Sequence, residues 1–367
     1  MVKLSNHFKI EFLQNLLKIY SPSGREKRLA SYLSSIMNRI GYRSVRTDDA
    51  GNVIGTIGAS GTGILLCGHM DTVAGEIPVQ VRDGRIFGRG SVDAKSALAA
   101  IVLASSEMRD RLGNGRLIVA AVTREETDGK GIEGLMDSGI DADYAIFGEP
   151  TGLKRITVGY KGKIGARLCL KAMESGHTSA PWVYPNPIEL SHEFIASVRR
   201  KIGKKGNPWK SVTVCLTRMS GGQSLNVTPK SCVSCLDVRI PVGSSTEAAK
   251  SSLQARLHDF CSTRKNIIGE MSFSGDSVEP YEVDPNHKVV RALARGILQT
   301  DGRPVQLIRK MGTSDLNVLH ARTGIHGVSY GPGNPRLSHT DGEFVTRSEY
   351  LKTIRVYEKA MQYLVKV

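Results

Sequence analysis

The sequence predicts an α/β fold in two parts, a mixed sheet flanked by helices and an inserted α+β layer. Three observations predict it. Apolar runs of strand length at residues 63–67, 117–122 and 144–148 alternate with stretches of helical spacing. From about residue 156 the pattern changes to alternating strands in the order β, α, β, β, α, β, that of a ferredoxin-like layer. After Glu279-Pro280-Tyr281 the α/β character returns. A chain of 367 residues is long enough for two cores, and the expected division is 1–160 with 273–367, interrupted by 161–272.

Leu13, Leu16, Leu17 and Tyr20 stand at i, i+3, i+4 and i+7, and Leu29, Tyr32, Leu33, Ile36 and Ile40 repeat helical spacing, so two helices open the chain. Ser23 and Glu26 have the spacing of a capping box at the start of the second, and Gly41 stops it. Between them, Tyr20-Ser21-Pro22-Ser23-Gly24 reads as a plain turn. Strands are expected at 44–47, 52–57 and 63–71, followed by a hairpin at 79–88 that turns on Asp83-Gly84. Residues 94–112 carry alanines and aliphatics on most faces and predict a buried helix. A strand at 117–123, a helix after Gly131 and a strand at 144–148 follow. The inserted part has expected strands across 156–172 and at 212–217, 232–240 and 270–273, with helices at 187–201 and 246–260. Helices at 288–298 and 316–320, strands at 305–309 and 327–330, and a last helix capped by Thr346 with Glu349 complete the chain.

Hydrophobic content of 40% and charged content of 23% are those of an ordinary soluble protein. No apolar run reaches the length of about 18 residues that a membrane span needs, and residues 1–7 lack the apolar core of a signal peptide. A cytoplasmic protein with no membrane partner is expected. Six cysteines in this length do not form a disulfide framework, and Cys232 and Cys235, three apart on a strand, face opposite sides. The net charge is +15, and residues 161–272 hold 17 Lys and Arg against 7 Asp and Glu, which points to an acidic partner. The densest run, from Arg199 to Lys210, includes Arg200, Lys204 and Lys205 and no acidic residue. Aromatics make up only 6%, so no stacking platform for nucleic acid is expected.

The chemistry gathers where strands end. Gly68-His69-Met70-Asp71-Thr72 directly follows an apolar run; residues two apart on a strand share a face, so His69 and Asp71 project together. A metal-binding imidazole is commonly oriented by such a carboxylate. Further acidic residues follow at strand ends: Asp93 in Gly90-Ser91-Val92-Asp93-Ala94-Lys95, the pair Glu125-Glu126, and Glu149. A second histidine, His339, lies in Ser338-His339-Thr340-Asp341-Gly342-Glu343. Groups carried at the carboxyl ends of strands converge on one edge of an open α/β sheet. Asp93 and the Gly312-Thr313-Ser314-Asp315 stretch also suit helix N-caps, and Arg239 stands two residues from a ready partner, Asp237.

These motifs, together with Gly148-Glu149-Pro150-Thr151, Gly159-Tyr160-Lys161-Gly162-Lys163 and His177-Thr178-Ser179-Ala180-Pro181, resemble over nearly the full length the M20 family of co-catalytic zinc aminoacylases and carboxypeptidases. Within it they are most similar to the branch that releases lysine or ornithine from an acidic amino-carrier protein. The resemblance implies a zinc-peptidase-like catalytic domain and an inserted lid and dimerisation domain. It implies two Zn2+ ions, with Co2+ as an alternative, bridged by Asp93 and completed by His69 and Glu149 on one ion and by Glu126 and His339 on the other. Asp71 would orient the first histidine, Glu125 would be the general base, and the Asp93-Ala94 peptide would be cis. His177 would reach the active site of the partner subunit in a homodimer, Asn226 and Arg239 would hold a substrate carboxylate, and Gly312 and Thr313 would stand beside the metals. The implied reaction cleaves the amide between a carrier glutamate side chain and the α-amino group of lysine or ornithine. The alternative is a small-molecule deacylase of the acetylornithine or succinyl-diaminopimelate type.

Overall fold

The structure, a computed structural model that describes residues 4–202 and 207–365, divides into two compact units. The first comprises Met1–Gly159, Val283–Ile308 and Val318–Val367, and the second Tyr160–Glu282 and Arg309–Asn317. The second unit therefore extends beyond 161–272. Backbone pairing is the reason: Lys163 and Val278 exchange N–H to carbonyl hydrogen bonds of 2.8 and 2.9 Å. The Asn317 side chain also donates to the carbonyls of Lys161 (3.3 Å) and Glu279 (2.7 Å).

In the first unit a mixed sheet runs in the order Val45–Thr47, Val53–Ile57, Gly115–Val122, Thr62–His69, Tyr144–Gly148, His326–Tyr330 and Arg155–Tyr160. The central four strands are parallel, and the flanking pairs are antiparallel. A strand covered on both faces needs an unbroken apolar run, and Ile64, Leu65, Leu66 and Cys67 supply it, all four fully buried. The parallel register brings the carboxyl ends at His69, Val122, Gly148 and Tyr330 to one edge. Helix Lys95–Met108 is buried almost throughout, as its composition predicts, and helix Arg347–Val365 packs against it. A short sheet adds the hairpin Gln80–Arg82 and Arg85–Phe87, whose turn places Asp83 (φ 49°) and Gly84 (φ 71°) in the left-handed region that a two-residue hairpin needs. Strand Phe344–Thr346 pairs with its second arm. Among the described residues, no helix is long and apolar enough to cross a membrane.

The second unit is an antiparallel sheet in the order Thr213–Gly221, Ser231–Ile240, Gly162–Ala172 and Ile267–Phe273, with helices Pro187–Ile202 and Thr246–Ser262 supplying the ferredoxin-like order. Alternate residues of one sheet face, including Ile164, Leu168, Leu236 and Val238, enter a core with Phe194, Leu253 and Phe260 from the helices. Cys232 is buried on this face and Cys235 lies on the other, and none of the six cysteines is in a disulfide.

Three helices of the first unit meet in a buried charge cluster. Lys9 Nζ donates to Glu107 Oε2 at 2.9 Å, the Leu4 N–H donates to Glu107 Oε1 at 3.1 Å, and Arg111 Nη2 reaches Glu358 Oε2 at 3.5 Å. Burial, reinforced by the Glu107 carboxylate, pushes Glu358 up to about 7, against Lys9 and Arg111. A carboxyl that keeps its proton in the fold but releases it near 4.5 when unfolded contributes full stability at low pH and loses it as pH rises toward 7. Glu358→Gln, which mimics the protonated group, should raise the melting temperature by a few degrees above pH 7 and leave it nearly unchanged at pH 4.5. Thermal unfolding at the two pH values checks this, and an equal shift at both would contradict it.

Candidate metal centre

Strand Thr62–His69 ends in a buried imidazole, 2% exposed. Its Nδ1 lies 2.9 Å from the backbone carbonyl of Asp71, while Asp71 Oδ1 stands farther off at 3.5 Å. The nearer acceptor is thus the carbonyl, where the sequence suggests the carboxylate. A carbonyl can only accept, so the contact puts a proton on Nδ1 and leaves Nε2 as the ring atom open to a metal. Nε2 is buried without a hydrogen-bond partner and faces Asp93 Oδ1 at 3.4 Å. One ligand atom from each of His69, Asp93 and Glu126 lies within 4.8 Å of the others. His339 Nε2 is 2.9 Å from Glu126 Oε1 and 3.4 Å from Asp93 Oδ2. Asp93 therefore turns one oxygen to each histidine. Two imidazoles and two carboxylates around a buried, unpartnered nitrogen fit a divalent metal.

The electrostatics agree. Burial pushes the His69 imidazolium down, but Asp71, Asp93 and Glu125 outweigh it and hold the ring well above the ordinary histidine range. His339 is raised to about 9, first by its hydrogen bond to Asp93 and then by Glu126, against partial burial. Burial and the nearby Asp93 raise Glu126, against the two imidazoles. A field that favours positive charge on both rings favours a divalent cation between them.

The loops that present these groups are pinned by carboxylates. Burial would raise Asp71, but His69 and the hydrogen bonds it accepts hold it down to about 2. Its Oδ1 accepts the Glu125 N–H at 3.1 Å, and its Oδ2 accepts the Glu126 N–H at 3.1 Å and the Ser23 hydroxyl at 2.6 Å. Glu125 and Glu126 lie in a loop past the strand that ends at Val122, with Arg124 at φ 58°, so neighbours there need not face opposite ways. Gly131 admits this loop, since a Cβ on it would sit 2.0 Å from the Thr123 carbonyl oxygen. The Ser23–Glu26 capping box does not form: Ser23 is committed to Asp71, and Glu26 Oε1 accepts the N–H groups of Gly24 (2.9 Å) and Arg124 (3.1 Å). The Tyr20–Gly24 stretch is thus more than a plain turn; it buttresses the site.

Glu343 is a second anchor, unmarked in the sequence. Fully buried, it accepts the N–H groups of Val92 (2.8 Å) and Asp93 (3.0 Å) and pairs with Arg89 at 3.1 Å. The pairing of Phe344 with Phe87 sets it there, and its place four residues after His339 was the available signal. The Asp93-Ala94 peptide is cis, as expected, and Asp93 does not cap the helix, whose N-cap position is Ala94. Glu149 follows strand Tyr144–Gly148, the neighbour of Thr62–His69, and its N–H donates to the Tyr330 carbonyl at 3.3 Å.

The remaining expected residues lie in the second unit. His177 is exposed, with Nδ1 2.9 Å from Ser179 Oγ, and it bridges Val227 while the Thr178 N–H donates to the Asn226 carbonyl at 3.1 Å. His177 and Asn226 therefore sit on adjacent segments. Arg239 forks onto both oxygens of Asp237 at 2.7 and 3.0 Å. Gly312 and Thr313 lead into helix Asp315–Thr323, where the Ser314 N–H donates to Asn317 Oδ1 at 3.0 Å, an N-terminal helix turn. On the helix-free face of this sheet Arg218, Cys235 and Arg167 stand in register across three strands, and with Lys230 they line a groove of about 710 Å3. Lys204 and Lys205 of the basic run lie outside the described residues.

The sequence model of peptidase family M20/M25/M40 matches residues 65–363. The chain belongs to the M20 family. A Pyrobaculum aerophilum protein provisionally named LysW-lysine/LysW-ornithine hydrolase is 37% identical over 91% of both chains. The LysW-lysine/LysW-ornithine hydrolase of Sulfurisphaera tokodaii is 29% identical over 96% of this chain and 95% of its own. Among solved structures, the M20 chain superposes on the aminopeptidase PepT of Bacillus cereus with a TM-score of 0.86 at 20% identity, over the full length of both. A dinuclear metal-binding M20 peptidase of Bacillus subtilis aligns with a TM-score of 0.72 at 14% identity over 98% of each.

Glu126→Ala and His339→Ala should each weaken divalent-metal affinity by about 10-fold or more, read as metal retained after dialysis against a chelator. Retention equal to the parent protein's in both variants would remove these residues from the metal centre.

Proposed function

We propose that this M20 enzyme hydrolyses the amide between the terminal glutamate side chain of an acidic amino-carrier protein and the α-amino group of lysine or ornithine. The convergence of His69, Asp93, Glu126 and His339 on one sheet edge carries the reaction type. The names of relatives that match more than nine-tenths of the chain support the substrate. Zn2+, with Co2+ as the alternative, would be held as a pair, one ion by His69, Asp93 and Glu149 and the other by Asp93, Glu126 and His339. Bound there, the metal supplies Lewis-acid polarisation of the amide carbonyl and makes water more acidic.

Glu125 is the general base. Its backbone is fixed by Asp71 and its carboxylate is half-buried beside Glu126, so it can take a proton from the attacking water and return it to the leaving amine. Asp71 is a positioning residue: it orders the Glu125–Glu126 loop while its carbonyl sets the His69 ring. His177, exposed in the second unit, serves the active site of the partner subunit in a homodimer, where an imidazole donor would stabilise the oxyanion. Asn226, Arg239, Gly312 and Thr313 contribute to holding the amino acid, with Arg239 exchanging Asp237 for a substrate carboxylate. The groove lined by Arg167, Arg218 and Lys230 receives acidic residues of the carrier.

One comparison tests both halves of this reading. Glu125→Ala should keep near-normal metal and lose turnover by about 100-fold or more, whereas metal loss matching that of Glu126→Ala would sink its role as base. Arg167→Ala with Arg218→Ala should lower kcat/KM for carrier-linked lysine, with a shallower salt dependence, and leave a small acyl-lysine unaffected. Loss on both substrates or on neither would move the docking surface elsewhere.

The dimer has its own test. Inactive His177→Ala and inactive Glu125→Ala subunits, mixed under conditions of proven exchange, should regain part of the activity, because some heterodimers then own one intact site. No recovery would place the work of His177 within its own subunit or nowhere.

A further inference from the structure

Helix Lys288–Asp301 is charged against its own stability. Lys288, Arg291 and Arg295 occupy its first two turns, no acidic residue stands in the first turn, and no basic one stands in the last. Cations at a helix N-terminus oppose the macrodipole, and like charges at i, i+3 and i, i+4 repel. Helix Arg347–Val365 packs alongside and adds Lys359, Gln362 and Tyr363 to the same groove, whose volume is about 630 Å3. Among the described residues, no carboxylate forms an ion pair with Lys288, Arg291, Arg295 or Lys359, and none lines the groove. Other cations of this unit, such as Arg89, Arg111, Arg116 and Lys352, have carboxylate partners.

We propose that this groove docks an acidic segment of a partner protein. Charge complementarity and shape together select that occupant. Lys288 to Arg295 spans about 10 Å along the helix axis at 1.5 Å per residue, a row rather than a point. A single phosphate would engage one end of it; a run of carboxylates engages all of it. Nucleic acid is the poorer match, because Tyr363 is the one aromatic ring lining the groove and the Arg295 guanidinium, 5.0 Å from its centroid, already covers one face, so no row of rings is there to stack successive bases. The groove is also apart from the metal centre. Lys288 Nζ stands 5.5 Å from the ring of Tyr144, which begins the strand that ends at Gly148, and Gly115, which begins the strand that ends at Val122, abuts Val365. A partner held there leaves the His69 edge of the sheet open, so it is distinct from the proposed substrate.

The test uses the full chain and fluorescence anisotropy with a labelled acidic peptide carrying glutamate at every third or fourth position. Binding should weaken about tenfold in Arg291→Ala/Arg295→Ala/Lys359→Ala. The double variant Arg291→Ala/Arg295→Ala should melt no lower than the parent, since these two cations oppose the helix they stand on. Peptide binding that is absent, or insensitive to the triple substitution, would overturn the proposal. So would tighter, groove-dependent binding of a labelled oligothymidylate of equal charge or of pyrophosphate, and so would a lowered melting temperature, which would assign the cations to the fold.

Discussion

Two buried carboxylates hold the candidate metal centre together. Asp71 and Glu343 each accept three hydrogen bonds, and in both cases two of the donors are the backbone N–H groups of consecutive residues. Burying an ionised carboxylate is costly unless its oxygens are satisfied, and each bond to a charged acceptor contributes about 1.5–3 kcal/mol. Satisfying Asp71 fixes where Glu125 and Glu126 stand; satisfying Glu343 fixes Asp93. The ligand loops are irregular, yet each is held at two consecutive peptide groups.

The sheet decides which loops are available for this. Four parallel strands end on one edge, so His69, the 123–126 loop and Glu149 are brought side by side by register alone. The long insertion between Glu149 and His339 is tolerated because the strand His326–Tyr330 returns to pair beside Tyr144–Gly148. The hairpin sheet then carries Glu343 back to Arg89 and Asp93. Lys95, buried just after Asp93, donates to the Ile19 carbonyl at 2.7 Å and to the Leu16 carbonyl at 3.3 Å, so the first helix is tied to the same region.

Much of this was legible in the sequence because it depends on local periodicity. The apolar run before His69, the Asp83-Gly84 turn, the buried alanine-rich helix and the opposite facing of Cys232 and Cys235 all follow from spacing within a few residues. What was illegible involves competition between partners far apart in the chain. Ser23 and Glu26 have capping-box spacing, but a carboxylate 48 residues away takes the hydroxyl. The spacing of His69 and Asp71 places them together without saying that the carbonyl outcompetes the carboxylate for Nδ1. Glu343 carries no local signal beyond its place four residues after His339, and only the strand pairing at Phe344 makes it a buried anchor.

Everything proposed for the reaction depends on a metal pair held between His69, Asp93, Glu126, Glu149 and His339. The most direct measurement is anomalous scattering at the zinc absorption edge from crystals of zinc-loaded enzyme. Two peaks are expected, one within about 2.0–2.1 Å of His69 Nε2 and one at the same distance from a ring nitrogen of His339, with Asp93 touching both. Zinc bound elsewhere, or no peak at this sheet edge in an active preparation, would contradict it.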